Sequence, residues 1–152
     1  MAKITDIYNF RPVDSKLSTS GQPAEDQLRA IAAHGYEVVI NLALHDDPDY
    51  SLPDEAGLVQ ALGLSYVHIP VRFDAPQERD LLAFFDAMNQ YKNHKIHVHC
   101  AANMRVTTFL GLYRLLQQNQ SEKNAFEIMR SVWEPNDIWS LFISDMLAKY
   151  AR

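Results

Sequence analysis

Short apolar runs alternate along the chain with longer stretches of helical periodicity. The runs at 37–42, 65–70 and 95–99 are rich in β-branched residues and largely apolar, which is typical of strands buried in a parallel sheet. A further short strand is predicted at 17–20, after an irregular entry. Apolar residues spaced three and four apart predict helices at 23–35, 53–62, 81–91, 105–118, 121–133 and 137–150.

This alternation predicts the fold class. Strands that alternate with helices, joined by connections long enough for a crossover, indicate an α/β architecture with a mainly parallel sheet. No internal repeat, low-complexity tract or glycine- and serine-rich linker interrupts the sequence. We therefore expect residues 1–152 to form a single three-layer domain, with a central sheet flanked by helices.

Composition and charge narrow the function classes. Of the 152 residues, 47% are apolar and 22% are charged, which is ordinary for a globular protein. The net charge of −5 argues against non-specific binding to nucleic acid. A single cysteine permits no intrachain disulfide, and no run is long enough to cross a bilayer. With an N-terminus that lacks a signal-peptide pattern, these features predict a cytoplasmic protein without nucleic-acid or membrane partners, although a signal peptide already removed would leave no trace.

The single cysteine lies where chemistry is expected. Cys100 follows the strand 95–99, and Arg105 opens the next helical stretch after a few small residues. We call residues 100–105 the cysteine loop. A sulfur between the carboxyl end of a strand and the amino end of a helix faces unpaired N–H groups and the positive end of the helix dipole. Such a thiol tends to ionise, and the thiolate is the nucleophilic form.

The cysteine loop offers the groups that cysteine-based phosphoryl transfer needs. Cys100 is the predicted nucleophile, and Arg105 has the planar fork that binds two phosphate oxygens at once. Together with Arg105, the backbone between them is predicted to bind the phosphate, through Ala101, Ala102, Asn103 and Met104. Of these, Asn103 is best suited to a left-handed backbone. This chemistry requires no metal or cofactor, and we expect none.

The cysteine loop resembles the signature of the protein tyrosine and dual-specificity phosphatases, with a His-Cys pair, small residues and an arginine at a helix start. The segments Ser20-Gly21-Gln22-Pro23, 35–42 and 63–70 follow in an order that resembles the bacterial phosphatase-like domain of beta-lactamase-hydrolase-like proteins. The likeness covers roughly residues 8 to 118. It implies a tyrosine-phosphatase-like fold and hydrolysis of a phosphomonoester through a phosphocysteine intermediate, with a phosphorylated protein or small molecule as substrate.

The resemblance also implies roles for residues outside the loop. In dual-specificity phosphatases the general acid occupies the connection before the helix at 81–91, where Asp74 matches best. Glu78 and Asp80 are weaker candidates, because they are expected in the first turn of that helix, where acidic residues are common. His99 is predicted to hydrogen-bond backbone carbonyls, to fix the loop and to tune Cys100 without reacting itself. Thr107 is the hydroxyl that can help the sulfur to leave.

The loop departs from that family's pattern, and two other functions stay open. Four residues rather than five separate Cys100 from Arg105, glycines are lacking, and Val106 stands where a hydroxyl is usual. The four-residue spacing is also that of rhodanese-like sulfurtransferases, in which the cysteine carries a persulfide. The missing glycines are compatible with a non-catalytic module that binds oxyanions without turnover. The sequence specifies neither the substrate nor the oligomeric state.

Other chemistry-bearing residues have simpler interpretations. His97 and His99 alternate on one strand, but a zinc site needs three or four converging ligands, so no metal site is predicted. The acidic residues at 46–49 are predicted to form a solvated loop. Trp133 and Trp139 either pack between the last helices or line a substrate cleft, and both interpretations stay open.

Overall fold

Five short strands form one sheet in the computed structural model, which describes residues 2–151. The strands are β1 (Arg11–Asp14), β2 (Leu17–Ser20), β3 (Val38–Asn41), β4 (Ser65–His68) and β5 (Ile96–His99). Their order across the sheet is β1-β2-β5-β3-β4. β1 pairs antiparallel with β2, and the other pairings are parallel. The expected α/β fold with a mainly parallel sheet is confirmed.

Helices connect the strands and cover the sheet. They are α1 (Glu25–Ala33), α2 (Glu55–Ala61), α3 (Glu78–Gln90), α4 (Met104–Leu116), α5 (Glu122–Ala125), α6 (Glu127–Val132) and α7 (Asp137–Tyr150), preceded by a 3-10 turn at Ile4–Asp6. Gly35 and Gly63, which follow α1 and α2, have φ angles of 82° and 88°. Glycine adopts this left-handed backbone at a helix end without the steric cost that a Cβ atom brings.

Alternate sheet positions face two separate hydrophobic cores. Val38 and Ile40 of β3 belong to the larger core, which includes apolar residues of α3 to α7. Val39, between them, belongs to the smaller core with residues of α1 and α2. Because successive side chains of a strand point to opposite faces, this alternation buries β3 on both sides. The result is the three-layer arrangement that the sequence predicts.

The parallel register brings three strand ends to one edge of the sheet. Ser20 of β2 and Asn41 of β3 each lie opposite His99 of β5. Because β5 is the middle strand, Cys100 leaves the sheet at its centre, with a strand end on either side. Ligands of open α/β sheets bind outside the carboxyl ends of the strands, and this edge is the one that the cysteine loop occupies.

Two predicted elements differ from the structure. The prediction of an irregular entry is wrong for Arg11–Asp14, which forms β1. Its four residues include Pro12, which lacks an N–H group and is tolerated only on an edge strand, so the sequence carries little strand signal. The helix predicted at 121–133 is divided into α5 and α6 at Phe126, whose ring packs against Gly111 of α4.

Within residues 2–151, no helix combines the length and the apolar character that crossing a bilayer requires.

We expect Phe109→Ala to lower the free energy of unfolding by about 3–5 kcal/mol, the usual range for truncating a fully buried aromatic ring. Phe109 of α4 is 0% exposed, and its ring centroid lies 5.9 Å from Phe84, 5.8 Å from Trp139 and 5.9 Å from Phe142. Urea denaturation measures the change. Leu141→Ala is the control, because Leu141 is 63% exposed and its truncation should change stability by less than about 0.5 kcal/mol. Equal effects of the two variants would contradict the described core.

Candidate active site

Cys100 is buried where β5 ends. Its side chain is 0% exposed, and its backbone N–H donates to the carbonyl oxygen of Ser20 at 3.3 Å. On the other side, the N–H of Leu42 donates to the carbonyl oxygen of His99 at 2.8 Å. The start of the cysteine loop is therefore fastened to both neighbouring strand ends.

Asn103 turns the loop into α4. Its φ of 65° confirms the predicted left-handed backbone, and it is the N-cap residue of the helix. Its side chain makes no cap hydrogen bond, because Nδ2 donates instead to the carbonyl oxygen of Asn9 at 2.8 Å and to Oγ1 of Thr19 at 3.0 Å. The first N–H groups of α4 are thus not satisfied by their cap residue. An uncapped helix N-terminus is suited to an anion.

Residues from the N-terminal part of the chain hydrogen-bond the backbone of the cysteine loop. The N–H of Gln22 donates to the carbonyl oxygen of Ala101 at 3.0 Å, and Nδ2 of Asn9 donates to that of Ala102 at 3.1 Å. Gly21 lies so close that a Cβ atom added to it would be 2.5 Å from the carbonyl oxygen of Ala101. We call Gly21 and Gln22 the strap. Only glycine fits at the first of these two positions.

Arg105 lies on the first turn of α4 and is 5% exposed. Its Nη1 donates to the carbonyl oxygen of Val71 at 2.8 Å, the one hydrogen bond from this guanidinium within residues 2–151. The rings of Tyr50 and Phe73 each have their centroid 5.9 Å from its Cζ atom. This aromatic and backbone enclosure positions the cation while most of its N–H groups are left for a ligand.

The segment after β4 covers Arg105 and is held by the last helices. The carbonyl oxygen of Phe73 accepts a hydrogen bond of 2.7 Å from Nε1 of Trp139, and the Phe73 ring lies 5.5 Å from the ring of Trp133. Trp139 is 0% exposed, whereas Trp133 is half-buried. Of the two interpretations left open for these tryptophans, packing therefore holds for Trp139, which in addition anchors the segment above Arg105.

Asp74 follows Phe73 in this segment, but its carboxylate faces solvent. Its two oxygens accept hydrogen bonds from Arg72, at 3.0 Å from Nε and 2.9 Å from Nη2. These hydrogen bonds, and the charge of Arg72, hold the pKa of Asp74 below its ordinary value. The structure thus places Asp74 in the segment that covers Arg105, but its side chain pairs with Arg72 and not with Arg105. Glu78 and Asp80 lie in the first turn of α3, as expected.

His99 lies beneath the loop, paired with a residue that the sequence did not indicate. It is 0% exposed, its Nε2 lies 2.7 Å from Oε2 of Glu55, and its Nδ1 lies 3.3 Å from the carbonyl oxygen of Cys100. Glu55 is the first residue of α2 and is 7% exposed. Nε2 of Gln22 donates to the other carboxylate oxygen of Glu55 at 2.7 Å. The strap, Glu55 and His99 therefore form one connected support under the cysteine loop.

Thr107 and Met104 complete the set of predicted residues. The Thr107 hydroxyl donates to the carbonyl oxygen of Asn103 at 2.7 Å, so it braces the turn into α4, and its predicted assistance to the sulfur stays a prediction. Met104 is the half-buried first residue of α4. Residues 2–151 contain no group of three or more His, Cys, Asp or Glu side chains arranged to hold a metal ion.

Several residues that build the site escape sequence reasoning. Gln22 and Gly21 stand in a segment whose motif character is visible, but their contact with the loop depends on the pairing of β2 with β5. Glu55 is one of many acidic residues at helix starts, which are common for dipole reasons alone. Val71 contributes its carbonyl oxygen, a group that every residue has. Only the register of the sheet and the position of α2 reveal these roles.

This architecture is that of the tyrosine and dual-specificity phosphatase superfamily, as comparisons with known proteins show. Residues 3–137 match the family model described as "DSP-PTPase phosphatase fused to NAD+ Kinase", and the chain belongs to that family. The expected resemblance is therefore confirmed, and the match extends beyond residue 118 to the start of α7.

Individual relatives agree with this assignment. The chain is 34% identical to a DUF442 phosphatase, named as putative, from Shewanella putrefaciens CN-32, whose crystal structure matches with a TM-score of 0.86 over 98% of this chain and 97% of that one. It is 29% identical over 120 residues to the beta-lactamase hydrolase-like protein of Xylella fastidiosa strain Temecula1, a match that covers 75% of this chain. The chain spans 25% of the length of that relative. The PP-IP phosphatase SIW14 of S. cerevisiae shares the fold, with a TM-score of 0.72 at 17% identity over 94% of this chain and 93% of that one.

We expect Gly21→Ala to weaken the binding of inorganic phosphate at least about tenfold, a loss of roughly 1.4 kcal/mol, because the new Cβ would displace the Ala101 carbonyl. Calorimetric titration with phosphate measures the affinity. The matched control is Gly63→Ala, which meets no atom within 4 Å but strains a left-handed backbone far from the loop. It should lose stability yet bind phosphate like the wild type. Unchanged phosphate affinity in Gly21→Ala would show that the strap does not set the shape of the loop.

Proposed function

We propose that this protein is a cysteine-dependent phosphatase that hydrolyses a phosphomonoester through a phosphocysteine intermediate. One observation carries the proposal: Cys100 leaves the central strand directly beneath the uncapped N-terminus of α4, on whose first turn Arg105 lies. The sulfur, the free amides and the guanidinium belong to a loop of six residues. The membership of the chain in a DSP-PTPase family supports the same chemistry.

In the first proposed step, the Cys100 thiolate attacks phosphorus, and a sulfur–phosphorus bond forms as the bond to the leaving oxygen breaks. The guanidinium of Arg105 and the amides of Ala101 to Arg105 hold the three equatorial oxygens. Asp74, in its protonated form, gives its proton to the leaving oxygen, which departs as an alcohol or phenol.

In the second step, water attacks the phosphocysteine. The Asp74 carboxylate, now ionised, accepts a proton from that water, the sulfur–phosphorus bond breaks, and Cys100 returns as thiolate with release of inorganic phosphate. Thr107 assists the departure of the sulfur. For either step the Asp74 side chain has to exchange Arg72 for the ligand, a rotation open to an exposed side chain on a loop.

The substrate class follows from the same groups. A loop whose ligands are amides and a guanidinium recognises a dianionic phosphate rather than a particular scaffold, so a phosphorylated protein or a phosphorylated small molecule can be the substrate. The comparisons support the phosphatase over the sulfurtransferase and the non-catalytic module, although the four-residue spacing is common to the sulfurtransferases.

We expect wild-type protein to hydrolyse para-nitrophenyl phosphate and Cys100→Ser to reduce the rate to background. Arg105→Lys should lower kcat/KM by about 10²-fold or more, because a lysine replaces two directed hydrogen bonds by one charge. Arg114→Lys is the control, since Arg114 lies on the same helix and hydrogen-bonds Gln120 instead. Rapid quenching followed by intact mass measurement should detect a phosphate adduct on Cys100.

Two outcomes would replace this proposal. Thiocyanate formation from thiosulfate and cyanide, dependent on Cys100 and without phosphatase turnover, would establish a sulfurtransferase. Phosphate binding that survives Cys100→Ala, with no turnover by the wild type, would establish a binding module.

We expect Arg72→Ala to move the alkaline limb of the pH–rate profile to higher pH. A general acid works only while protonated, so the rate falls as pH rises through its pKa. Hydrogen bonds from Arg72 lower the pKa of Asp74, and their loss lets that pKa return toward its ordinary value. Arg79→Ala, at an exposed position in the first turn of α3, is the control and should leave the limb in place. An unmoved limb in Arg72→Ala would assign the general acid to a residue other than Asp74.

A further inference from the structure

A cavity of about 250 Å³ lies at the same edge of the sheet as the cysteine loop, on the side that α2 covers. Its lining comes from the carboxyl ends of β3 and β4, the loop between β3 and α2, the start of α2, and Gln22 of the strap. Ligands of α/β sheets bind at this edge. None of the lining residues takes part in the proposed reaction, so the cavity is free for a part of the substrate that does not react.

Two residues connect the cavity to the phosphate site. Gln22 lines the cavity, and its backbone N–H donates to the carbonyl oxygen of Ala101 in the cysteine loop at 3.0 Å. Leu44 also lines the cavity, and its N–H donates at 3.1 Å to the hydroxyl of Tyr50, whose ring centroid lies 5.9 Å from Cζ of Arg105. One residue thus separates the cavity from the cysteine loop, and one tyrosine side chain separates it from the guanidinium. Two parts of one small molecule can span such a distance.

The charge of the cavity lining excludes a second phosphate group. Asp54 and Glu55 contribute carboxylates, and no lysine or arginine is among the lining residues within 2–151. A phosphate group is bound in proteins by such cations, through charge-assisted hydrogen bonds. Here it would instead meet two carboxylates, and like charges placed together cost free energy. The cavity is therefore suited to a part of the substrate that carries no negative charge.

Flat side chains form one wall of the cavity. The ring of His68 stacks with that of Tyr66 at 6.1 Å, with 29° between the planes, and the ring of His45 meets His68 edge-on at 5.5 Å. Leu44 and Leu52 add apolar surface. Such a wall favours a planar group, because aromatic contacts add to the gain from burial. The volume lies below the about 300–1,000 Å³ of sites that enclose a whole drug-sized ligand, so one ring of a larger molecule fits.

Two side chains of the lining have hydrogen-bond acceptors left for a ligand. Nε2 of Gln22 donates to the carbonyl oxygen of Pro23 at 3.0 Å and to Oε1 of Glu55 at 2.7 Å, which uses both N–H groups of this amide. Its oxygen remains as an acceptor. One oxygen of Asp54 accepts from the N–H of Gly57 at 3.1 Å, and within residues 2–151 the other accepts no hydrogen bond. A ring that binds here has to supply N–H donors.

The floor of the cavity is already fixed. Oδ1 of Asn41 accepts from the N–H of Ala43 at 2.8 Å, and Nδ2 of Asn41 donates to the hydroxyl of Tyr66 at 3.0 Å. Burial, together with the charge of Glu55, raises the pKa of Tyr66, so this hydroxyl keeps its proton. A preformed floor saves the free energy that ordering these side chains would cost on binding.

We propose that this cavity binds the leaving group of the substrate, and that the leaving group carries an amino-substituted aromatic ring of the size of a nucleobase. The substrate is then of the nucleoside monophosphate class, rather than a phosphoprotein or a molecule with several phosphates. Its phosphate binds in the cysteine loop, and its base lies in the cavity. The catalytic consequence rests on the proposed function, whereas the binding of the ring by the cavity does not.

The test compares the hydrolysis of adenosine 5′-monophosphate with that of ribose 5-phosphate, a phosphomonoester of the same sugar without the base. We expect kcat/KM of the wild type to be at least about tenfold higher for the nucleotide, because even one methylene group in a fitted pocket changes kcat/KM by about tenfold. Inosine 5′-monophosphate should fall between the two, since a carbonyl replaces the amino group and the ring loses its donor. Released phosphate measures all three rates.

Ala56→Leu fills the cavity. Ala56 is the half-buried second residue of α2 and lines the cavity, so a larger side chain there takes the space of the ring. The ratio of the two kcat/KM values should fall to about one. Because both esters use the same cysteine loop, any damage to the loop cancels from this ratio. Ala61→Leu, at the exposed end of the same helix, is the matched control and should keep the wild-type ratio. If Ala56→Leu does not fold, as judged by its thermal midpoint, the decision passes to His45→Ala, an exposed lining residue whose loss should lower the ratio less.

A wild-type ratio near one overturns the proposal, and so does a ratio that a folded Ala56→Leu leaves unchanged. Equal kcat/KM values for the adenosine and inosine monophosphates would also overturn it, because the lining would then not select an N–H donor.

The proposed function fails separately. Adenosine, which has no phosphate, should bind the wild type and Ala61→Leu alike and Ala56→Leu at least about tenfold more weakly, as measured by ligand-observed NMR titration. This binding pattern without hydrolysis of any ester would leave the cavity assignment standing and remove the phosphatase. Turnover of para-nitrophenyl phosphate, with no adenosine binding and a ratio near one, would do the reverse.

Discussion

The site depends on the left-handed backbone at Asn103. That single residue reverses the chain between the end of β5 and the start of α4, and its side chain is turned away from the helix to Asn9 and Thr19. An asparagine that capped α4 in the usual way would satisfy an N–H group that an anion can otherwise use. By hydrogen-bonding elsewhere, Asn103 both shapes the cysteine loop and leaves the helix end open.

The open helix end is surrounded by groups from distant parts of the chain. The strap comes from the loop after β2, Glu55 from the start of α2, and the segment at Phe73 is held by Trp139 near the C-terminus. These groups support the shape of the loop through hydrogen bonds and packing, and none of them has a part in the proposed reaction. The loop itself lacks the glycines that this superfamily usually has, and rigid support from outside offers a physical reason why alanines suffice.

The sequence predicts the strands, the helices and the central loop well, because each is specified locally. β-branched runs give β3, β4 and β5, and the position of Cys100 between a strand and a helix follows directly. The edge strand β1 escapes prediction, since its stability comes from pairing with β2 rather than from its own residues. The break at Phe126 escapes for a similar reason, because the packing of the Phe126 ring against Gly111 of α4 is a tertiary contact. Glu55 lies 44 residues before His99, and only tertiary structure brings them together.

The antiparallel strand β1 has a consequence for how the molecule meets its neighbours. An outer strand presents unpaired backbone groups that can recruit a strand of another chain. Here that border includes a proline, an irregular register between Pro12 and Asp14, and charged residues at both ends. Such a border is a poor template for further strand addition. A strand of another molecule is therefore unfavourable as a partner for β1, and association of two copies into one continuous sheet is disfavoured at this edge.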